Sequence, residues 1–519
     1  MRGRLHAGLM ALLLVWGAPN GWALTASQQR GQQLFTTGIS ANGTAVTALV
    51  GSAGVALPGG ALPCANCHGV DARGRPEGGV IPSDIRWLQL TKEYGVRSSS
   101  GRRYPAYTDA SFADALRLGV DPAATPLNSA MPRYRLSDSD LADLRAYLMV
   151  VDEILDPGVS DGQIRLATLV PAPEQAGLGQ DIVRVLRAYF ADVNAAGGVY
   201  GRQLELVVQA EPADGPAPAV WAAERLLAQQ PFALVSPVAL QAPLQLAAWA
   251  ERQRLPVMGP FASRSGAPGE LSRFSFYLLG DAGVRLRALL QAAMISARLH
   301  GGEALLLAQR QALDALDLSE LDFLGLDLRV EIYADTPQLQ QLLAQPETLG
   351  ATDLVHFGAA EQLRLLLQAA TRQQRTPTLY IAASGGLGDR LRAAQGYAGE
   401  LYVGYPMLSS DLQRAAWQAF EQFRVRHQLT EGPLQPQLHA YVAAQLTTHA
   451  LKAVGKKLSR ERLIHELEQL YNYQTGLMPP FSYSPNRRIG AYGAHVVSTD
   501  LTTGRPNLPG RWVEPLTQY

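Results

Sequence analysis

Apolar residues recur at helical spacing in GQDIVRVLRAYFADVNAAGG, where Ile182, Val185, Leu186, Tyr189, Phe190 and Val193 share one face. Gly197 and Gly198 are placed to stop that helix. On either side the rhythm changes: QIRLATLV before it and RQLELVVQA after it read as strands. PAVWAAERLLAQQ then reads as a helix, FALVSPV as a strand, PLQLAAWAERQR as a helix and LPVMGP as a strand. The alternation resumes from EALLLAQ through DLVHFGA to PTLYIAA. Strands alternating with helices predict parallel sheets with right-handed crossovers, here in two α/β lobes. Such sheets take ligands beyond the carboxyl ends of their strands.

Ahead of this region the pattern is different. In DLADLRAYLMVVDEI, Leu141, Leu144, Tyr147 and Leu148 recur at helical spacing. Ser137 is a good N-cap for that helix, with Asp140 three residues on. A turn-rich linker, DPGVSDG from Asp156 to Gly162, separates the two regions. At the very start Arg2 and Arg4 precede a short apolar stretch, GLMALLLVWGA, and NGWA ends in a small residue. That is the layout of an export signal over residues 1–23, cleaved near Ala23. The stretch is short for a span, which needs ~20 apolar residues, and no later segment qualifies. The expectation is an exported, periplasmic chain with no stable membrane span after cleavage.

Composition narrows the function. Lys+Arg and Asp+Glu both number 45, so no net field draws in nucleic acid or an anionic membrane surface. At 519 residues the chain is too long for one core. It has just two cysteines, Cys64 and Cys67, with His68 directly after them in LPCANCHGV. Two cysteines are too few for a disulfide scaffold, and a structural zinc site needs more ligands. A thioredoxin-like pair follows a βαβ pattern, which is missing before Cys64. C-x-x-C-H is left as covalent attachment of one haem c, with thioethers from Cys64 and Cys67 and His68 on the iron. Two methionines follow the motif. Met149 belongs to the helical stretch, whereas Met131 sits on a loop just before a capped helix and is the expected second axial ligand.

RGQQLF, then CANCHG, then MPRYRLSDSDLADLRAYL together resemble a class I cytochrome c domain. The resemblance implies an all-α domain over residues 24–155 whose first and last helices cross, with Gly31 against Tyr147. It implies His68 and Met131 as axial ligands, a pairing that raises haem potential. A departure is the long insert ISANGTAVTALVGSAGVALPGGALP between first helix and motif.

YFADVNAAGGVYGRQLELVV, with ALVSPV, LPVMGP and the tail YQTGLMPPFSYSPNRRIGAYGAHVVSTD, resembles type I periplasmic solute-binding proteins of the branched-chain amino acid type. That implies a two-lobed α/β binding domain over 163–519, closing on a small-molecule ligand between the lobes. Lobe one is expected at 163–280 and 405–475, and lobe two at 281–404 and 476–519. The positions matching the family's ligand loops are Ser236 and Gln241, Ser263, Ala360 and Ser384. Amino-acid binders of the family pair the ligand's ammonium with a carboxylate from the second lobe. No acid stands at the matching position here, though Glu361 is one step along. Burying an unpaired ammonium is costly, so a less polar or anionic ligand, or none, is expected.

The combined expectation is a mono-haem electron carrier rather than an enzyme, serving a redox partner such as a periplasmic dehydrogenase or another cytochrome. The binding module would dock that partner or sense a ligand. The alternative is the substrate-binding component of an ABC-type transporter with an accessory haem domain.

Overall fold

The computed structural model describes residues 24–516, apart from 52, 75–78, 98–100, 172–175, 213–217, 239–242, 262–271, 314–327, 383–386, 502 and 504. The expected signal, residues 1–23, lies outside the described residues. The chain divides into two compact units that meet in sequence between Leu155 and Asp156.

In the first unit the helix Ala26–Thr37 opens with a capping box between Thr25 and Gln28. It crosses the helix Asp138–Val150, whose N-cap Ser137 accepts from the Asp140 N–H. The crossing is close because Gly31 has no side chain: a Cβ there would lie 1.9 Å from the Asp143 carbonyl oxygen and 2.9 Å from the Tyr147 Cβ. Phe35 packs on Tyr147 with ring centroids 5.4 Å apart. Leu34, Phe35, Phe112, Leu116, Leu144 and Leu148 fill the core around this crossing.

The Gly/Ala-rich insert is structured, which its sequence did not signal. Thr47–Val50 and Val55–Pro58 form an antiparallel hairpin, and Arg133–Arg135 adds a third strand. Most of these strand residues are small or exposed, so no two-residue hydrophobic alternation marks them. Side chains anchor the insert instead. Ser40, Asn42 and Thr44 all donate to the buried Asp140 carboxylate, which also accepts from Ser137. Asp143 accepts from Ser27, Arg30 and Asn42.

Burial alone would raise the Asp140 pKa, but its four hydroxyl and amide donors outweigh that and hold it at about 2. A depressed carboxyl pKa gives stability that is present above the unfolded value, roughly 3.9, and is lost as pH falls through the folded value. We therefore expect the first unit to lose roughly 2 kcal/mol between pH 4 and pH 2 from this group. Urea unfolding of the full chain across that range, compared with Asp140→Asn, measures it. An unchanged pH slope in the variant would refute the assignment.

Among its described residues the second unit forms two sheets. The first runs in spatial order Ile489–Ala491, Ser275–Leu279, Val257–Met258, Ala233–Val235, Gln163–Val170, Gln203–Ala210, all parallel. The second runs Leu328–Tyr333, Ala304–Gln309, Asp353–Phe357, Thr378–Ala382, Leu401–Tyr405 in parallel, then Ala494–Asp500 antiparallel. The predicted helical face is the buried one: Ile182, Val185, Leu186 and Phe190 pack into the first lobe's core from the helix Ala176–Ala195.

Two expected boundaries are corrected. The tail from 476 does not pass wholly to the second lobe. Leu477, Met478, Phe481 and Tyr483 are buried in the first lobe's core, and Ile489–Ala491 extends its sheet beside Tyr277 and Leu279. Burying those large apolar side chains in one core is what keeps the stretch there. The chain changes lobe only after Ala491. The stretch Asp156–Gly162 is not a free linker either. The Asp156 carboxylate accepts the Arg460 N–H at 2.6 Å, Gly158 O accepts the Arg165 N–H at 2.7 Å, and Ser160 O accepts from Arg202 Nε at 2.7 Å. These bonds place it in the second unit.

Candidate functional site

Cys64, Cys67 and His68 lie on one short helix, Cys64–His68. Spacings of three and four residues put all three side chains on one side of a helix. The lead-in is fixed by Tyr134, whose hydroxyl donates to Leu62 O at 2.7 Å. The thiols are not bridged to each other. Burial pushes the Cys64 thiol up to about 12, the reverse of the depressed pKa that a redox-exchange cysteine needs.

His68 is buried, with 8% of its surface exposed. Its Nδ1 lies 2.8 Å from Ser83 O. A carbonyl only accepts, so Nδ1 carries the proton and Nε2 keeps its lone pair for a metal. Burial also holds the imidazole pKa below its ordinary value, which keeps the ring neutral. The loop that delivers Ser83 is tied down in turn. Arg73 and Arg86 both pair with Asp152, and Ile85 N–H donates to Ala72 O. Ser83 was invisible to sequence reasoning because it contributes a backbone carbonyl, which its residue type does not signal.

Met131 sits on the loop before Arg133–Arg135, half-buried against the first unit's core. Arg133 clamps that loop: its guanidinium donates to Met131 O and, at 3.1 Å, to Leu127 O. Met149, by contrast, is 53% exposed on the helix Asp138–Val150.

These residues suit a haem: two unbridged thiols, a neutral histidine with one nitrogen oriented by a carbonyl, and a thioether on a braced loop. Among the described residues no cluster of three or more His, Cys, Asp or Glu could hold a metal ion on its own.

In the second unit the chain crosses between lobes after Leu279, after Tyr405 and after Ala491, each time leaving the carboxyl end of a strand. The carboxyl ends of both sheets therefore lie toward the crossings, where a ligand would sit. Ser236 follows the strand Ala233–Val235 with φ 47°, a left-handed conformation that serine seldom adopts. Its side chain is fully buried and its Oγ has no hydrogen-bond partner among the described residues. Ala360 begins the helix Ala360–Arg372, after Phe357, Gly358 and Ala359. Gln241, Ser263 and Ser384 lie outside the described residues.

Several residues here escaped the sequence reading. His439 bonds through Nε2 to Gly259 O at 2.9 Å and stacks edge-on against Phe261 at 5.0 Å. Tyr333, His356 and Gln362 form a buried polar group under Gly358. The Tyr333 hydroxyl lies 3.3 Å from both His356 Nε2 and Gln362 Oε1, and Ala359 N–H donates to Gln362 Oε1 at 2.6 Å. Arg390, from the helix Leu387–Ala394, reaches the same edge.

A family model described as periplasmic binding protein matches residues 172–497, and one described as cytochrome c matches residues 29–152. Among solved structures, the second unit's fold is similar to a fatty acid ABC transporter substrate-binding protein from Thermomonospora curvata. That match has 19% identity and a TM-score of 0.51, covering 69% of this chain and 94% of that one. An ABC transporter substrate-binding protein from Aeropyrum pernix matches at 14% identity and TM-score 0.50, over 68% of this chain and 97% of that one. A branched-chain amino acid ABC transporter protein from Thermus thermophilus, with bound valine, matches at 16% identity and TM-score 0.49, over 69% and 97% respectively. No curated protein matches the sequence.

Proposed function

We propose that this chain, which belongs to the periplasmic binding protein family and carries a cytochrome c domain ahead of its binding unit, is an exported electron carrier with one covalent haem c. Its binding unit docks a redox partner or senses a ligand. The observation that carries the haem assignment is the His68 ring, buried and oriented by Ser83 O, on the same helix as both thiols.

Bound haem c supplies one-electron exchange at the iron. The chain's own part is attachment, ligation and burial. Cys64 and Cys67 would hold the group covalently and His68 would offer Nε2. Ser83 O keeps that ring in the right tautomer, as an outer-shell partner does in other metal sites. Met131 offers its sulfur from the loop that Arg133 braces. The surrounding core keeps water away, a lever on potential. Residues that would make or break bonds in a substrate are not part of this reading.

The partner is another redox protein, a periplasmic dehydrogenase or a cytochrome. The transporter reading stays second, because the most completely assembled chemistry in the chain is at the haem motif.

Met131→Ala tests whether the Met131 sulfur would be supplied to the iron. We expect the haem to stay attached while the midpoint potential falls by on the order of 100 mV, since methionine is the ligand that raises it. Potentiometric titration of both proteins reads the change. An unaltered potential would remove Met131 from the iron without touching covalent attachment.

A further inference from the structure

We propose that the cleft of the second unit takes a small organic carboxylate with an apolar body and no ammonium, and that Arg390 holds its carboxylate. This deepens, and rests on, the reading of that unit as a binder of small molecules. Arg390 Nη2 donates to Gly358 O at 2.6 Å, and Nη1 lies 3.4 Å from Ala382 O. Those carbonyls follow and end two adjacent strands, Asp353–Phe357 and Thr378–Ala382, in the middle of the second sheet. The guanidinium is thus fastened at the carboxyl edge, on the side where the chain crosses between lobes.

Gly358 is placed by its neighbours. A Cβ there would lie 2.3 Å from the Tyr333 hydroxyl and 2.7 Å from Gln362 Oε1. The buried Tyr333–His356–Gln362 group therefore fixes the carbonyl that Arg390 grips.

Among the described residues, no carboxylate is within ion-pair distance of Arg390. Burial pulls its pKa below the usual value, with Tyr333 and Glu361 opposing only in part. A guanidinium has five donors in a fixed fork, and among the described residues two carbonyls leave several of them free. Carbonyl dipoles orient the charge without neutralising it. A carboxylate would both accept from the fork and complete the charge. An ammonium at the same edge would meet a like charge instead.

The rest of the edge suits an apolar body. Phe261 in the first lobe and Phe357 in the second are each half-buried at a strand's carboxyl end. The unpartnered Ser236 hydroxyl gives the first lobe one polar group at its own edge.

Isothermal titration calorimetry of the full-length haem-loaded protein tests this with three probes that share one branched apolar body: 4-methylpentanoate, leucine and 3-methylbutylamine. We expect the acid to bind at least about tenfold more tightly than leucine, and the amine to give no binding heat. Arg390→Gln should weaken the acid by about 100-fold, the scale of a lost charged hydrogen-bond pair. Arg390→Lys keeps the charge but not the fork, and should weaken it by about tenfold; this variant decides if Arg390→Gln does not fold. Unchanged acid affinity in the variants overturns the role of Arg390 and leaves the solute-binding reading standing. Tighter binding of leucine or the amine overturns the ligand class and leaves that reading standing. Silence from all three probes overturns both, and the unit is then a docking surface.

Discussion

Alanine at both Cys64 and Cys67 yields a chain that carries no covalently attached haem, while its second unit unfolds as before. The expectation follows from the helix Cys64–His68, which holds both thiols unbridged beside His68. Thioether bonds need sulfur, and the chain has no other cysteine to substitute. His68 and Met131 would leave the haem held only by coordination, so it would be lost under denaturing conditions. The two single variants should differ from the double, each retaining one thioether and a haem that survives denaturation in part. Denaturing electrophoresis with haem staining reads all four proteins. The second unit meets the first in sequence only at Leu155 and Asp156 and has its own cores, so its thermal transition should be unmoved. A haem that stays bound through denaturation in the double variant would mean that other residues attach it.

Gly31→Leu should cost the first unit about 3 kcal/mol or more, enough to unfold a marginal domain. The reason is the distance of closest approach. Even the first carbon of a side chain would sit 1.9 Å from the Asp143 carbonyl oxygen, and that atom is helix backbone rather than a flexible tip. The helices Ala26–Thr37 and Asp138–Val150 can admit it only by separating, which unpacks Phe35 from Tyr147 and leaves gaps around Leu34 and Leu144. Asp143 would also be drawn from Ser27, Arg30 and Asn42. Gly31→Ala should show the same direction with a smaller cost. Differential scanning calorimetry of the full chain should show the first unit's transition lowered and the second unit's unchanged. A leucine variant with both transitions in place would mean that the two helices do not cross at Gly31.

The binding unit's helices and strands could be read from the sequence because period and burial agree there. Ile182 to Val193 mark a helical face, and the strand QIRLATLV occupies the predicted Gln163–Val170. The haem motif was legible for a different reason: C-x-x-C-H states its chemistry through residue types. Features built from backbone or from polar side chains were not legible. The insert that carries the hairpin Thr47–Pro58 is anchored through Ser40, Asn42 and Thr44 to Asp140 and Asp143, whose place later in the chain no local pattern announces. Ser83 acts through its carbonyl and Arg133 through a clamp on two others. Arg390 was hidden in a glycine-rich stretch that carries no phosphate-loop spacing. The tail went astray because its strand Ile489–Ala491 is three residues long, too short to show a period, and only tertiary packing assigns it to the first sheet.

The central claim is that one haem is bound through both cysteines. Intact mass spectrometry of the unmodified protein, isolated from the periplasm of cells competent in haem maturation and denatured in the presence of an alkylating reagent, tests it in a single spectrum. We expect the mass of the chain from Leu24 onward plus one haem, with neither thiol alkylated. A chain without haem and with Cys64 and Cys67 both alkylated would contradict it.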